Sequence, residues 1–200
     1  MTMIERYDRA APNWGAKLAE LGYAAAYRRL FERLQLPHAK RVCDIGTGTG
    51  EFAHAFLRVN GMAADLTLVD PSASMLDTAQ TALTPMTRNV GRAETTLQSL
   101  PVTTKYDTVL AAHVIEHCND PADAVRRLHG LCNEGGRAVL VVSKPHICQW
   151  VIWLKWRHKW WPSQHIIGLC KIAGFTRVQV IPFDKGVPSR TSLAYLCHTS

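Results

Sequence analysis

A chain of 200 residues, 47% hydrophobic and 20% charged, suits one soluble globular domain with a full core. No apolar run reaches membrane-spanning length, and the opening Met1-Thr2-Met3-Ile4-Glu5-Arg6 has no apolar signal-peptide region. The net charge of +7 leaves nucleic acid, anionic lipid, an acidic substrate or a merely solvated basic surface open.

Residues 4–12 are polar, with Asp8 and Pro12 as breakers. Asn13 is placed to cap a helix from Trp14 to about Leu34, with an apolar stripe at Leu18, Leu21, Ala25, Leu30, Phe31 and Leu34; Pro37 ends it. Arg41 to Ile45 is short and β-branched, as a central parallel strand should be. Gly46, Gly48 and Gly50 then let the backbone turn tightly, and a helix from Thr49 to about Arg58 points its N–H groups at the turn. A dinucleotide fingerprint needs a glycine at its sixth position. Glu51 stands there, and Asp44 precedes the first glycine by two residues. Two carboxylates repel a diphosphate and favour a ligand with an ammonium and a small carboxylate.

Asn60-Gly61 closes that helix, and Leu66 to Asp70 forms a second strand ending in an acid. Asp70 lies where doubly wound nucleotide-binding sheets place a carboxylate on ribose hydroxyls. Ser72 caps a helix to about Leu83; Met75 within it reads as a core residue before an adenine contact. Residues 84–105 hold a third strand and a loop. Tyr106 to His113 is the fourth strand. Pro121 opens a helix to about Cys132, which Asn133-Glu134-Gly135-Gly136 ends, and Arg137 to Ser143 is the fifth strand.

Five of the six tryptophans fall between Trp150 and Trp161, interleaved with Lys155, Arg157, His158 and Lys159. Wound as a helix, Trp153, Trp156 and Trp160 share one side. A lid over an apolar substrate ranks first, a membrane-facing lid second and a nucleic-acid surface third, beside a plain packing helix or dimer contact. A late helix over His165 to Phe175, a strand from Thr176 to Pro182 and a strand from Thr191 to His198 complete the chain. The six cysteines (43, 118, 132, 148, 170 and 197) form no C-x-x-C pair, and Cys43 lies in a core strand. That pattern predicts no metal, no disulfide framework and a reducing, cytoplasmic setting.

Several of these segments carry a resemblance. The acidic-x-G-x-G-x-G order of Asp44 to Gly50, Pro71 to Leu76 after the ribose acid, Val90-Gly91-Arg92-Ala93-Glu94 with Leu100-Pro101, Val114-Ile115-Glu116-His117 with Asp120-Pro121, and Ala173-Gly174-Phe175 occur in order. Together they resemble the class I S-adenosylmethionine (SAM)-dependent methyltransferases, in their small-molecule, ubiquinone/menaquinone C-methyltransferase-like branch. The resemblance covers the chain except 144–164. It implies a single α/β domain over 1–200, with a Rossmann-like, doubly wound, seven-stranded, mostly parallel sheet whose last strand is antiparallel. Residues 1–36 would form an N-terminal helical cap and 144–165 a tryptophan-rich lid.

The cofactor implied is SAM. The resemblance implies Asp44, Gly46, Thr47, Gly48 and Gly50 around its methionine part, Asp70 and Pro71 at ribose, Met75, Arg92, Ala93 and Glu94 near adenine, and Ala111 and Ala112 near the methyl group. Arg92 departs from the pattern, because an acid is expected there and arginine has no acceptor for the adenine amino group. His113, just past the fourth strand, is the candidate catalytic or substrate-orienting residue. Tyr7, Trp14, His146, Trp150 and Trp153 are candidates to border the substrate. Glu116 and His117 read as residues that hold the loop.

The implied function is methyl transfer to a small, apolar or aromatic metabolite. The alternatives are a membrane-associated lipid or quinone methyltransferase, an RNA methyltransferase, an inactive SAM-binding protein and an NAD-binding oxidoreductase. The missing sixth-position glycine speaks against the last. The N-P-P-[YF]-type tetrapeptide of base-methylating enzymes is replaced by Ala111-Ala112-His113-Val114, so nucleic acid is disfavoured as a partner. Peripheral contact with anionic membrane and a homodimer stay open.

Overall fold

Short apolar runs alternate with amphipathic ones along most of this chain, and each run finds its partner layer. The computed structural model describes residues 14–145 and 160–200. Its elements, in order, are α1 (residues 14–20), α2 (Tyr23–Leu34), β1 (Arg41–Ile45), α3 (Glu51–Asn60), β2 (Ala63–Asp70), α4 (Ala73–Leu83), β3 (Thr87–Glu94) and β4 (Tyr106–Ala112). Then come α5 (Pro121–Leu131), β5 (Cys132–Ser143), α6 (Ser163–Ala173), β6 (Arg177–Pro182), α7 (Gly186–Thr191) and β7 (Ser192–His198). The strands form one seven-stranded sheet in the order β3-β2-β1-β4-β5-β7-β6. β1 through β5 pair in parallel, and β7 runs antiparallel between β5 and β6.

Strand periodicity divides the core in two. Leu110, Val139 and Val141 face a layer that contains Tyr27, Phe31, Phe52 and Phe56 of α2 and α3. Their neighbours Val109, Leu140 and Val142 face the layer of Val125, Leu128 and Ile166 from α5 and α6. Strand order reverses between β1 and β4, which opens a crevice at their carboxyl ends, where a doubly wound sheet binds its ligand.

Three boundaries differ by more than two residues from those read in the sequence, and one helix is new. The helix expected from Trp14 to Leu34 breaks at Gly22, whose φ of 83° is left-handed; its N–H closes α1 on Ala19 and its carbonyl accepts from Ala26 in α2. The break turns Leu21 out to 39% exposure, off its expected place in the stripe. β2 starts at Ala63, upstream of Leu66. β5 starts at Cys132, where a helix end was expected, because Cys132 already pairs with Tyr106 before a register shift brings Arg137 opposite Thr108. The short α7 was not expected at all. Cys43, Cys118, Cys132, Cys170 and Cys197 are free and buried. Among the described residues no helix is long and apolar enough to cross a membrane.

Candidate active site

The glycine turn joins β1 to α3. At the end of β1 the buried Asp44 carboxylate accepts a bond from Thr47 Oγ1 at 2.7 Å, and the Thr47 N–H donates to Val69 O on β2. Gly46, Gly48 and Gly50 have φ of 62°, 52° and 92°, a region that costs an L-residue about 1–2 kcal/mol. Their surroundings separate their roles. A Cβ on Gly46 would stand 2.6 Å from Val114 Cγ2, and one on Gly50 would stand 3.0 to 3.3 Å from Leu83 and Ala79 of α4. These two glycines let neighbouring segments pack. At Gly48 the nearest atom among the described residues is Trp14 Nε1 at 3.9 Å. Gly48 is therefore the position with room before it, and α1 brings Trp14 over it.

Three acids surround this turn. Asp70, at the end of β2, accepts the Gly48 N–H at Oδ2 (3.0 Å) and the Ser72 N–H at Oδ1 (2.9 Å). Glu51 opens α3 and accepts from Thr49 Oγ1 at 2.6 Å. Burial pushes the Asp44 carboxyl up to about 7; the charges of Asp70 and Glu51 add to the rise, and the Thr47 bond opposes it. Among the described residues, the charged groups gathered at the turn are these acids.

At the neighbouring edge, Ala93 and Glu94 of β3 sit level with Val69 and Asp70. Arg92 pairs with Asp77 of α4 at 2.5 Å and lies near Gln80. The pair is exposed, so it contributes at most about 1 kcal/mol. Met75 is fully buried, with its N–H on the Ser72 cap, and Pro71 is half-buried beside Asp70.

The other side of the crevice is built by β4 and β5. Ala111 is buried beside Ile45, and Ala112 pairs with Val141. His113 follows with a φ of 58°, a left-handed conformation held by its N–H bond to Val141 O. Its Nδ1 lies 3.1 Å from both Glu116 Oε1 and Ser143 Oγ. Glu116 is completely buried, and its Oε1 also accepts the Ser143 N–H at 2.6 Å. Burial alone would raise this carboxyl, but the bond and charge of His113 and the Ser143 N–H outweigh it and hold the group down at about 2. The Tyr23 ring meets the His113 ring edge-on at 5.5 Å, and the Tyr23 hydroxyl lies 2.9 Å from Thr191 Oγ1 and from Ser192 Oγ. Burial lowers the His117 imidazole.

Sequence reading had not singled out Tyr23 or Ser143 and had left Glu116 a loop role. Only the three-residue spacing of His113 and Glu116 carried a signal. Tyr7, His146, Trp150 and Trp153 lie outside the described residues. Trp161 is described; it packs on the α5–α6 side of the core and stacks on His165 at 5.0 Å.

A methyltransferase domain family matches residues 16–180. The ubiquinone/menaquinone biosynthesis C-methyltransferase UbiE of Stutzerimonas stutzeri is 31% identical over 112 residues, 54% of this chain and 44% of that protein. The ubiquinone biosynthesis O-methyltransferase of a Bradyrhizobium species is 31% identical over 119 residues, 58% of this chain and 45% of that protein. The chain thus spans about half the length of these relatives. In structure it is similar to the N-methyltransferase NodS of Bradyrhizobium japonicum, solved with S-adenosylhomocysteine (SAH), with a TM-score of 0.79 at 14% identity over 100% of this chain and 99% of that one. By the span of the family match and by its fold, this chain belongs to the methyltransferase domain family, within the class I SAM-dependent methyltransferases.

Proposed function

We propose that this chain transfers the methyl group of SAM to a small, apolar or aromatic metabolite. One observation carries the reading: the acid-rich glycine turn stands at one side of the β1/β4 crevice and His113 at the other. SAM fits the donor set. Asp44 and Glu51 would face its positive charges, Gly48 has room for close backbone approach, and Asp70 would meet the ribose hydroxyls. When bound, SAM supplies a methyl group already activated on a sulfonium. The protein's task is then to align the acceptor and exclude water. Trp14 from α1 approaches Gly48 and the buried Tyr23 ring from α2 meets His113 edge-on, so an aromatic ring stands near each part of the site. The relatives named for quinone biosynthesis point to the same acceptor class.

Calorimetry with SAH and with NAD tests the cofactor half: SAH should bind and NAD should not. Radiolabelled methyl transfer from SAM to a panel of hydroxylated aromatic compounds, with tRNA as the competing acceptor, tests the other half. Label in tRNA alone would replace the small-molecule reading.

A further inference from the structure

We infer that Glu116 is a positioning residue that fixes His113 with Nδ1 protonated and Nε2 as the proton acceptor, so that the site takes a protic nucleophile, one that must lose a proton as it is methylated. This rests on the methyl-transfer reading above. The argument begins with what each atom can do. A carboxylate has no proton to give. The 3.1 Å contact between His113 Nδ1 and Glu116 Oε1 is therefore a bond donated by Nδ1–H. In a neutral imidazole the other nitrogen then carries the lone pair. Nε2 is that nitrogen, and it is buried without a hydrogen-bond partner among the described residues.

Glu116 is an odd choice for a loop pin. Its side chain is fully buried, Oε1 takes the bonds from both His113 and the Ser143 N–H, and Oε2 has no partner among the described residues. A glutamine at this place would accept the same two bonds as a neutral, weaker acceptor. What the carboxylate adds is a charge, which strengthens both bonds and offsets an imidazole that becomes positive. The left-handed backbone of His113 and the Tyr23 ring edge hold the imidazole in place. Among the described residues the titratable groups around it are Glu116 and His117 on the turn Ile115–His117 and Tyr23 on α2; Ser143 of β5 adds only an uncharged hydroxyl.

In the step assigned, the acceptor's X–H bond breaks and the proton joins His113 Nε2. The electron pair stays on X and becomes the lone pair that takes the methyl group. The imidazolium keeps its Nδ1–H bond to Glu116, whose negative charge offsets the new positive one. The proton passes to water once product leaves.

The test is nitrogen-15 NMR of the full chain labelled at histidine, with SAH present, the His113 signals being assigned with His113→Asn. In the wild-type protein the neutral His113 ring should carry its proton on Nδ1. Glu116→Gln, whose amide can donate as well as accept, should let a neutral ring protonated on Nε2 appear. A residue that only pins the loop would change the melting temperature and leave the tautomer in place. A neutral wild-type ring protonated on Nε2 overturns the inference with no variant needed, so it stands or falls even if Glu116→Gln does not fold. Calorimetry on the same samples keeps the two readings apart. Failure to bind SAH overturns the methyl-transfer reading, whereas SAH binding with an Nε2–H ring overturns the Glu116–His113 pair alone.

Discussion

Asp70 and Gly48 are joined across the crevice: the acid that ends β2 accepts the N–H of the middle glycine of the β1 turn at 3.0 Å. The residue expected at ribose therefore also shapes the loop beneath the methionine end. Asp70→Ala removes this bond and the one from Ser72 N–H, each worth about 1–3 kcal/mol where a charged group takes part. SAH affinity should fall at least tenfold in calorimetry, and the melting temperature should fall with it. Unchanged affinity would remove Asp70 from the site.

The three glycines should fail in different ways. Gly46→Ala and Gly50→Ala force a Cβ against Val114 or against Leu83 and Ala79. Both should lower stability by about 2–4 kcal/mol, the sum of left-handed strain and overpacking. Gly48→Val meets no atom of the described residues and carries the left-handed strain alone, so it should fold with reduced stability and yet lose SAH more completely than Asp70→Ala does. Denaturant titration beside calorimetry separates the two classes. Normal SAH binding by Gly48→Val would make the turn purely structural.

Asp44 ties stability and binding to pH. Its carboxyl is raised to about 7 in the folded chain from an ordinary 3.8, so between these values the folded state holds a proton the unfolded chain has released. Its contribution to stability is fully present below pH 3.8 and is lost as pH rises through 7. Asp44→Asn should melt higher than wild type at pH 8, with the gap closing toward pH 4. A ligand ammonium demands the ionised form, so wild-type SAH affinity should drop roughly tenfold between pH 8 and pH 6. A flat profile would place the ligand's charge elsewhere.

Glu116 runs the opposite way. Its folded value lies near 2, below the ordinary 4.5. Its contribution is present above pH 4.5 and disappears as pH falls toward 2. Glu116→Gln should therefore be less stable than wild type at pH 7, and the two melting curves should converge below pH 3. Parallel curves down to pH 2 would mean that Glu116 carries no such charge.

Tyr23→Phe isolates the support behind His113. The ring contact survives, while the hydroxyl contacts to Thr191 and Ser192 are lost in a buried place. A cost of about 1–2 kcal/mol corresponds to a melting temperature about 2–8 °C lower in a chain of this size. SAH affinity should change less than twofold, because Tyr23 stands on the His113 side of the crevice.

Local signals made the fold legible. Arg41 to Gly50 reads as strand, turn and helix, and the later apolar runs alternate with helical ones, which is what a doubly wound sheet needs. Where reading failed, the deciding contact was distant or the signal ambiguous. A single glycine inside a helical pattern is ordinarily tolerated, so Gly22 gave no sign that it breaks the helix. Asn133 to Gly136 has the composition of a turn, and only the pairing of Cys132 with Tyr106 makes a strand start there. Arg92 looked misplaced at adenine because its partner Asp77 sits on the preceding helix. At the candidate site, Glu116 is three residues from His113 and could be guessed, whereas Ser143 and Tyr23 reach it from β5 and α2.

The division of the crevice has a consequence for how such a protein can diversify. The end assigned to the cofactor is held by β1, β2 and their turns, while the end assigned to the acceptor is held by β4, β5 and α2. Among the described residues the two ends meet where β1 pairs with β4 and where Gly46 approaches Val114. Changes after β4 or β5 can therefore alter which molecule is modified while leaving the donor untouched. An engineer seeking a new acceptor should mutate around His113 and Tyr23 and leave the glycine turn alone.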